Sequence, residues 1–125
     1  MSEKTLHKAV CNYLRYRYPS AIFNTDLSGA TKLTIGQAVS MKNLRSRRGF
    51  PDIVVYEPRG DYHGLFIELK RDGEKIYTKD NRPATPHIAE QQECMAELAE
   101  RGYYCAFAVG IDAAMRTIDE YMKIK

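Results

Sequence analysis

Apolar residues recur three or four apart at Leu6, Val10, Tyr13, Leu14 and Tyr18, a spacing that predicts an amphipathic helix from Glu3 to about Tyr18, closed by Pro19. Glu3 falls on the same helical face as Leu6, Val10 and Leu14, the side expected to meet the core. A carboxylate there is either a first-turn acid favoured by the helix dipole or part of a site. The run Ala21 to Thr25 predicts a short strand. Ser28-Gly29-Ala30-Thr31 reads as a turn or loop, and residues 35 to 45 as a short helix.

Pro51-Asp52-Ile53-Val54-Val55-Tyr56 predicts a strand, its consecutive β-branched residues favouring extension and its proline tolerable only at the start. The turn-rich stretch Glu57-Pro58-Arg59-Gly60-Asp61 leads to a second strand, Gly64 to Lys70, expected to pair with the first as an antiparallel hairpin. Residues 71 to 86 are polar and read as a long loop. Thr85-Pro86 opens a helix that runs to about Arg101 and stops at Gly102, with Ile88, Met95 and Leu98 inward. Tyr103 to Val109 is a further strand, and Ala113 to Met122 a closing helix with Met115, Ile118 and Met122 inward. The expected order is helix, three strands, helix, strand, helix: an α/β fold, a mixed sheet with helices on both faces.

At 125 residues the chain is expected to be one domain, 1–125. No apolar run approaches the roughly 20 residues that span a bilayer, and the polar start MSEKTLHK lacks a secretory core, so a cytoplasmic protein without a membrane partner is expected. Cys11, Cys94 and Cys105 sit in apolar periodic segments and read as reduced core thiols. His7, His63 and His87 have no zinc-site spacing. The net charge of +3 is unevenly spread: the first fifty residues carry nine Lys/Arg against two Asp/Glu, the rest ten against fourteen. Lys42, Arg45, Arg47 and Arg48 concentrate the cations in one stretch suited to phosphates.

Strand geometry sends Glu68 and Lys70 to one face with Phe66, and Leu65, Ile67 and Leu69 to the other. An acid and a base therefore interrupt a strand that is otherwise apolar. Left buried without partners they would cost several kcal/mol, so they are expected at an open edge, paired, or on a metal. Asp52, entering the neighbouring strand, brings a second carboxylate within reach. Two carboxylates and a nearby carbonyl, such as that of Leu69, are the hard oxygen ligands preferred by Mg²⁺ or Mn²⁺. The bland alternative is a surface Glu-Lys pair with Asp52 capping a turn. Gln91 lies four and seven residues before Met95 and Leu98 and so faces inward with them, although Gln92 beside it leaves open which amide meets the site.

Gly49-Phe50-Pro51-Asp52, followed by Glu68-Leu69-Lys70, resembles the PD-(D/E)xK nuclease signature. The wider pattern is similar to the VRR-NUC branch of that superfamily: an early helical Glu3, the basic Arg45 to Arg48, Gly49 to Asp52, Glu68 to Lys70, then Gln91 with Leu98 and Gly102. The resemblance spans nearly the whole chain and implies a restriction-endonuclease-like sheet. It implies Asp52, Glu68 and the Leu69 carbonyl as metal ligands, Lys70 as the catalytic lysine, and Glu3 and Gln91 as accessory site residues. A Mg²⁺-dependent endonuclease follows, with Mn²⁺ substituting and no organic cofactor. Single-domain members of the branch are similar to junction-resolving enzymes, so branched or four-way DNA is the expected substrate and a C2 homodimer the expected assembly. The rivals are a nonspecific or restriction-type nuclease of the same fold, a catalytically inactive DNA-binding module, and a nucleotide or RNA phosphodiesterase.

Overall fold

The computed structural model describes residues 1–28 and 31–125. Its elements are α1 (Glu3–Arg17), β1 (Phe23–Thr25), α2 (Ile35–Asn43), β2 (Ile53–Val55), β3 (Leu65–Lys70), α3 (Pro86–Glu100), β4 (Tyr104–Val109) and α4 (Gly110–Met122). The short helix read over residues 35 to 45 is α2, which adds a helix between the first two strands of the expected order. The turn expected at Ser28 to Thr31 falls partly on Gly29 and Ala30, outside the described residues.

Local chemistry sets the helix starts. Ser2 caps α1 by accepting the Thr5 N–H, Thr34 and Gln37 form a reciprocal capping box on α2, and Thr85 accepts from Ile88 N–H ahead of α3. Gly102, at φ 94°, supplies the left-handed residue just beyond α3. Helix α2 differs from the others in burying none of its residues. Its capping box satisfies the first-turn N–H groups.

The four strands form one sheet in the order β1-β2-β3-β4. Strands β1, β2 and β3 are antiparallel neighbours, with Ile53 opposite Ile67 and Thr25 opposite Ile53. Strand β4 lies parallel to β3, Glu68 beside Phe107, and the connection between them is α3. Parallel pairing requires such a crossover, and it lays α3 against one face of the sheet.

The opposite face carries the core. Ile53, Val55, Leu65, Ile67, Leu69 and Ala108 pack under Leu6, Val10 and Leu14 of α1 and Ala114, Ile118 and Tyr121 of α4. At ~25 cal/mol per Å² of apolar surface, each fully buried Leu, Ile or Val among them contributes about 1.5–3 kcal/mol. Helix α4 departs from its expected phase. It starts at Gly110, directly after β4, and turns Ala114, Ile118 and Tyr121 fully inward, leaving Met115 and Met122 half-buried. The Tyr121 hydroxyl explains the rotation, because it donates to the Glu57 carbonyl at 2.6 Å and so can be buried without an orphaned polar atom. All three cysteines are free thiols, Cys11 and Cys94 buried and Cys105 half-buried. Among the described residues no helix is long and apolar enough to cross a membrane.

Candidate functional site

Past Leu65, Ile67 and Leu69, the alternate residues of β3 point to the face covered by α3. There Glu68 and Lys70 are 4% and 5% exposed, and Gln91 of α3 is 4% exposed above them. Three polar side chains this deeply buried must answer one another. Lys70 Nζ donates to Gln91 Oε1 at 2.7 Å, and Gln91 Nε2 donates to Glu68 Oε1 at 2.5 Å. Lys70 Nζ lies 3.8 Å from Glu68 Oε1 and 3.6 Å from Glu74 Oε2, the latter from the loop after β3. It is Gln91, not the half-buried Gln92, that meets the site.

The register of β2 and β3, continued one residue, sets Asp52 opposite Glu68. Its Oδ2 accepts the Leu69 N–H at 2.9 Å, extending the ladder past the end of β2 with a side chain. Because a strand residue turns its N–H and C=O to the same neighbour, the Leu69 carbonyl also faces the Asp52 side. Burial pushes the Glu68 carboxyl far above its ordinary range, the adjacent Asp52 charge adds to the effect, and Lys70 only partly opposes it. Glu68 Oε2 is buried without a hydrogen-bond partner among the described residues. An orphaned carboxylate oxygen costs about 1–3 kcal/mol or more when charged, so the pair is built for a proton or a cation.

Two residues that sequence reasoning did not place at the site complete the surroundings. His7, one turn after Glu3 on α1 and 3% exposed, places Nε2 3.6 Å from Asp52 Oδ2 and Nδ1 3.5 Å from Thr25 Oγ1. The signal was present, since a histidine interrupted the buried stripe of α1. Glu3 itself is half-buried in the first turn, and among the described residues no hydrogen bond or ion pair joins it to the carboxylates. Asp26 follows β1 in register with Asp52, its N–H donating to the Asp52 carbonyl at 2.8 Å. The ends of three adjacent strands thus carry Asp26, Asp52 and Glu68 in a row.

The basic stretch divides. Arg45 Nη2 donates to Asp26 Oδ2 at 2.5 Å and to Ser28 Oγ at 2.9 Å, and Arg47 is paired with Glu97 of α3. These two charges are occupied within the chain, while Lys42 and Arg48 are exposed. Together with Arg45, His87 and Glu90 they border a cavity of about 720 Å³ between α2 and the start of α3.

A divalent cation fits the donor chemistry of Asp52, the unpartnered Glu68 oxygen and the Leu69 carbonyl. Among the described residues no three His, Cys, Asp or Glu side chains lie close enough to hold an ion alone. A main-chain carbonyl and substrate or water oxygens would have to complete the shell, as they do for hard cations that keep open positions.

No family model and no curated protein matches the sequence. Solved structures do match. A chain described as a "VRR_NUC domain protein" is 28% identical, with a TM-score of 0.69, covering 99% of this chain and 90% of that one. A second, described as "VRR_NUC domain", is 21% identical with a TM-score of 0.53, covers 95% of this chain and 96% of that one, and supports the fold alone. With the strand order, the restriction-endonuclease-like sheet and this agreement over nearly its whole length, the chain has the fold of the VRR-NUC domain proteins it resembles.

Proposed function

We propose that the protein is a Mg²⁺-dependent endodeoxyribonuclease that hydrolyses phosphodiester bonds, with branched or four-way DNA as its substrate and a C2 homodimer as its working form. The observation that carries the hydrolytic part is Glu68 Oε2, a buried carboxylate oxygen with no partner, side by side with Asp52. In this reading Asp52, Glu68 and the Leu69 carbonyl hold the ion. When bound, Mg²⁺ or Mn²⁺ supplies a lowered water pKa and positive charge for the phosphoryl oxygens.

The chain's own groups do the rest. Lys70 sets an ammonium beside the carboxylate pair, where it can neutralise charge that grows on the phosphoryl oxygens as the P–O bond breaks and water adds. Gln91 accepts from that ammonium and so directs it, while Glu74 offers a second carboxylate on its other side. Asp52, tied to the Leu69 N–H, keeps a fixed rotamer. Lys42 and Arg48 are the exposed cations of the stretch, and phosphate contacts of that kind position DNA without reading its sequence. A symmetric junction needs two cuts and each chain has one site, which favours a pair of chains. Ile35 and Leu44, each 86% exposed on and just after α2, are apolar surface that a second copy would cover.

The test is cleavage of labelled linear, flap and four-way DNAs in Mg²⁺ by wild type, Asp52→Ala and Glu68→Ala, with and without chelator. The expected result is preferential cutting of the four-way substrate, abolished by either variant and by chelator. Equal cutting of all three DNAs would remove the branched-substrate reading and leave a nonspecific nuclease. Tight binding without cleavage in Mg²⁺ or Mn²⁺ would instead identify a DNA-binding module.

A further inference from the structure

We infer that His87 is a positioning residue for this site, acting through Gln91; the inference rests on the nuclease reading above. Gln91 has one acceptor and two N–H donors, and all three are engaged. Lys70 offers donors only, so the amide atom facing it must be Oε1, as found at 2.7 Å. That leaves Nε2 to donate one hydrogen to Glu68 Oε1 at 2.5 Å and the other toward His87 Nε2 at 3.2 Å. An N–H needs an acceptor, so His87 must present an unprotonated Nε2 and carry its ring hydrogen on Nδ1.

His87 sits four residues before Gln91 on α3, so the two lie on one helical face. Its ring is exposed and borders the cavity beside Arg48 and Glu90. The chain of contacts therefore runs from solvent through His87 to Gln91, and from there to both Glu68 and Lys70. Without an acceptor at position 87 the amide has no bond on its outer hydrogen. It can then rotate away from the plane that keeps Lys70 and Glu68 on its two sides.

The experiment compares His87→Leu, which fills similar space and cannot accept, with His87→Gln, whose side-chain oxygen can. For cleavage of the preferred DNA in Mg²⁺, His87→Leu is expected to lower kcat about 10-fold, as loss of a supporting hydrogen bond around a metal site does. KM should stay within about twofold and the melting temperature unchanged, because the side chain is exposed. His87→Gln should recover most of kcat. Loss confined to KM, equal loss in both variants, or no loss in either overturns the inference. A readout independent of activity is the ring tautomer, observed by ¹⁵N–¹H correlation of His87 in the metal-free protein. The Nδ1–H form is expected, and the Nε2–H form overturns the inference even if the protein proves to cleave nothing. Absence of cleavage by wild type counts against the nuclease reading alone.

Discussion

A Cβ added to Gly49 would come 2.7 Å from the Glu90 carbonyl oxygen, and the glycine holds φ at +86°. The segment that delivers Asp52 is thus pressed against α3 immediately before Gln91. The hydrogen at this position, and the left-handed backbone that goes with it, set how closely the two halves of the site approach.

Replacing this glycine should therefore damage both fold and site. Gly49→Ala adds backbone strain of about 1–3 kcal/mol and a clash that forces the segment and α3 apart. Thermal unfolding is expected several degrees lower, and cleavage measured well below that transition should still be depressed. An alanine variant with the wild-type midpoint and rate would contradict the close approach.

The carboxylate pair predicts stabilisation by divalent ions. With Mn²⁺ at about one hundred times its dissociation constant, binding to the folded state alone adds about 2.7 kcal/mol. The melting temperature of wild type should rise accordingly, while Glu68→Gln, which keeps the shape and loses the charge, should show little rise. Equal shifts in the two proteins would move the ion elsewhere.

Without divalent ions the same pair makes stability depend on pH in an unusual direction. The Glu68 carboxyl is raised from an ordinary 4.5 by burial first and by the Asp52 charge second. Between 4.5 and that higher folded value the native chain holds a proton that the unfolded chain has released, so stability falls as pH increases across the window. In chelator, the wild-type midpoint should decline from mildly acid to alkaline pH, and Glu68→Gln should decline less. Parallel profiles would show that Glu68 does not control the slope.

The four cations at 42, 45, 47 and 48 should not behave alike. Lys42→Ala and Arg48→Ala remove exposed charge and are expected to weaken DNA binding at constant melting temperature, each lowering the salt slope by about 0.9 for every phosphate left unneutralised. Arg45→Ala removes the partner of Asp26 and should lower the melting temperature as well. Binding in Ca²⁺ at several salt concentrations, paired with thermal melts, separates the two groups.

Much of this arrangement could be read from residue order because its periodicities are strong. The stripe of Leu6, Val10 and Leu14, the β-branched run before Tyr56 and the alternation from Leu65 to Lys70 each select one element type and one buried face. Adjacent residues are harder, since spacing cannot separate Gln91 from Gln92. Lys70 and Glu68, remote in the chain, decide between them by taking the amide. Arg45 and Arg47 read as free cations because their partners, Asp26 and Glu97, are distant in sequence. His7, weighed only against zinc-site spacing, was not placed beside Asp52 for a similar reason: only the sheet register brings Asp52 to its ring. The phase of α4 turned on one hydroxyl, that of Tyr121, finding a carbonyl sixty-four residues away.

The connection that carries Gln91 is also the one that must close before β4 can lie beside β3. Sealing the sheet and supplying the amide to Lys70 and Glu68 consequently depend on the same long-range connection. A chain in which α3 had not docked would hold both acids and the lysine yet lack the amide that joins Lys70 to Glu68.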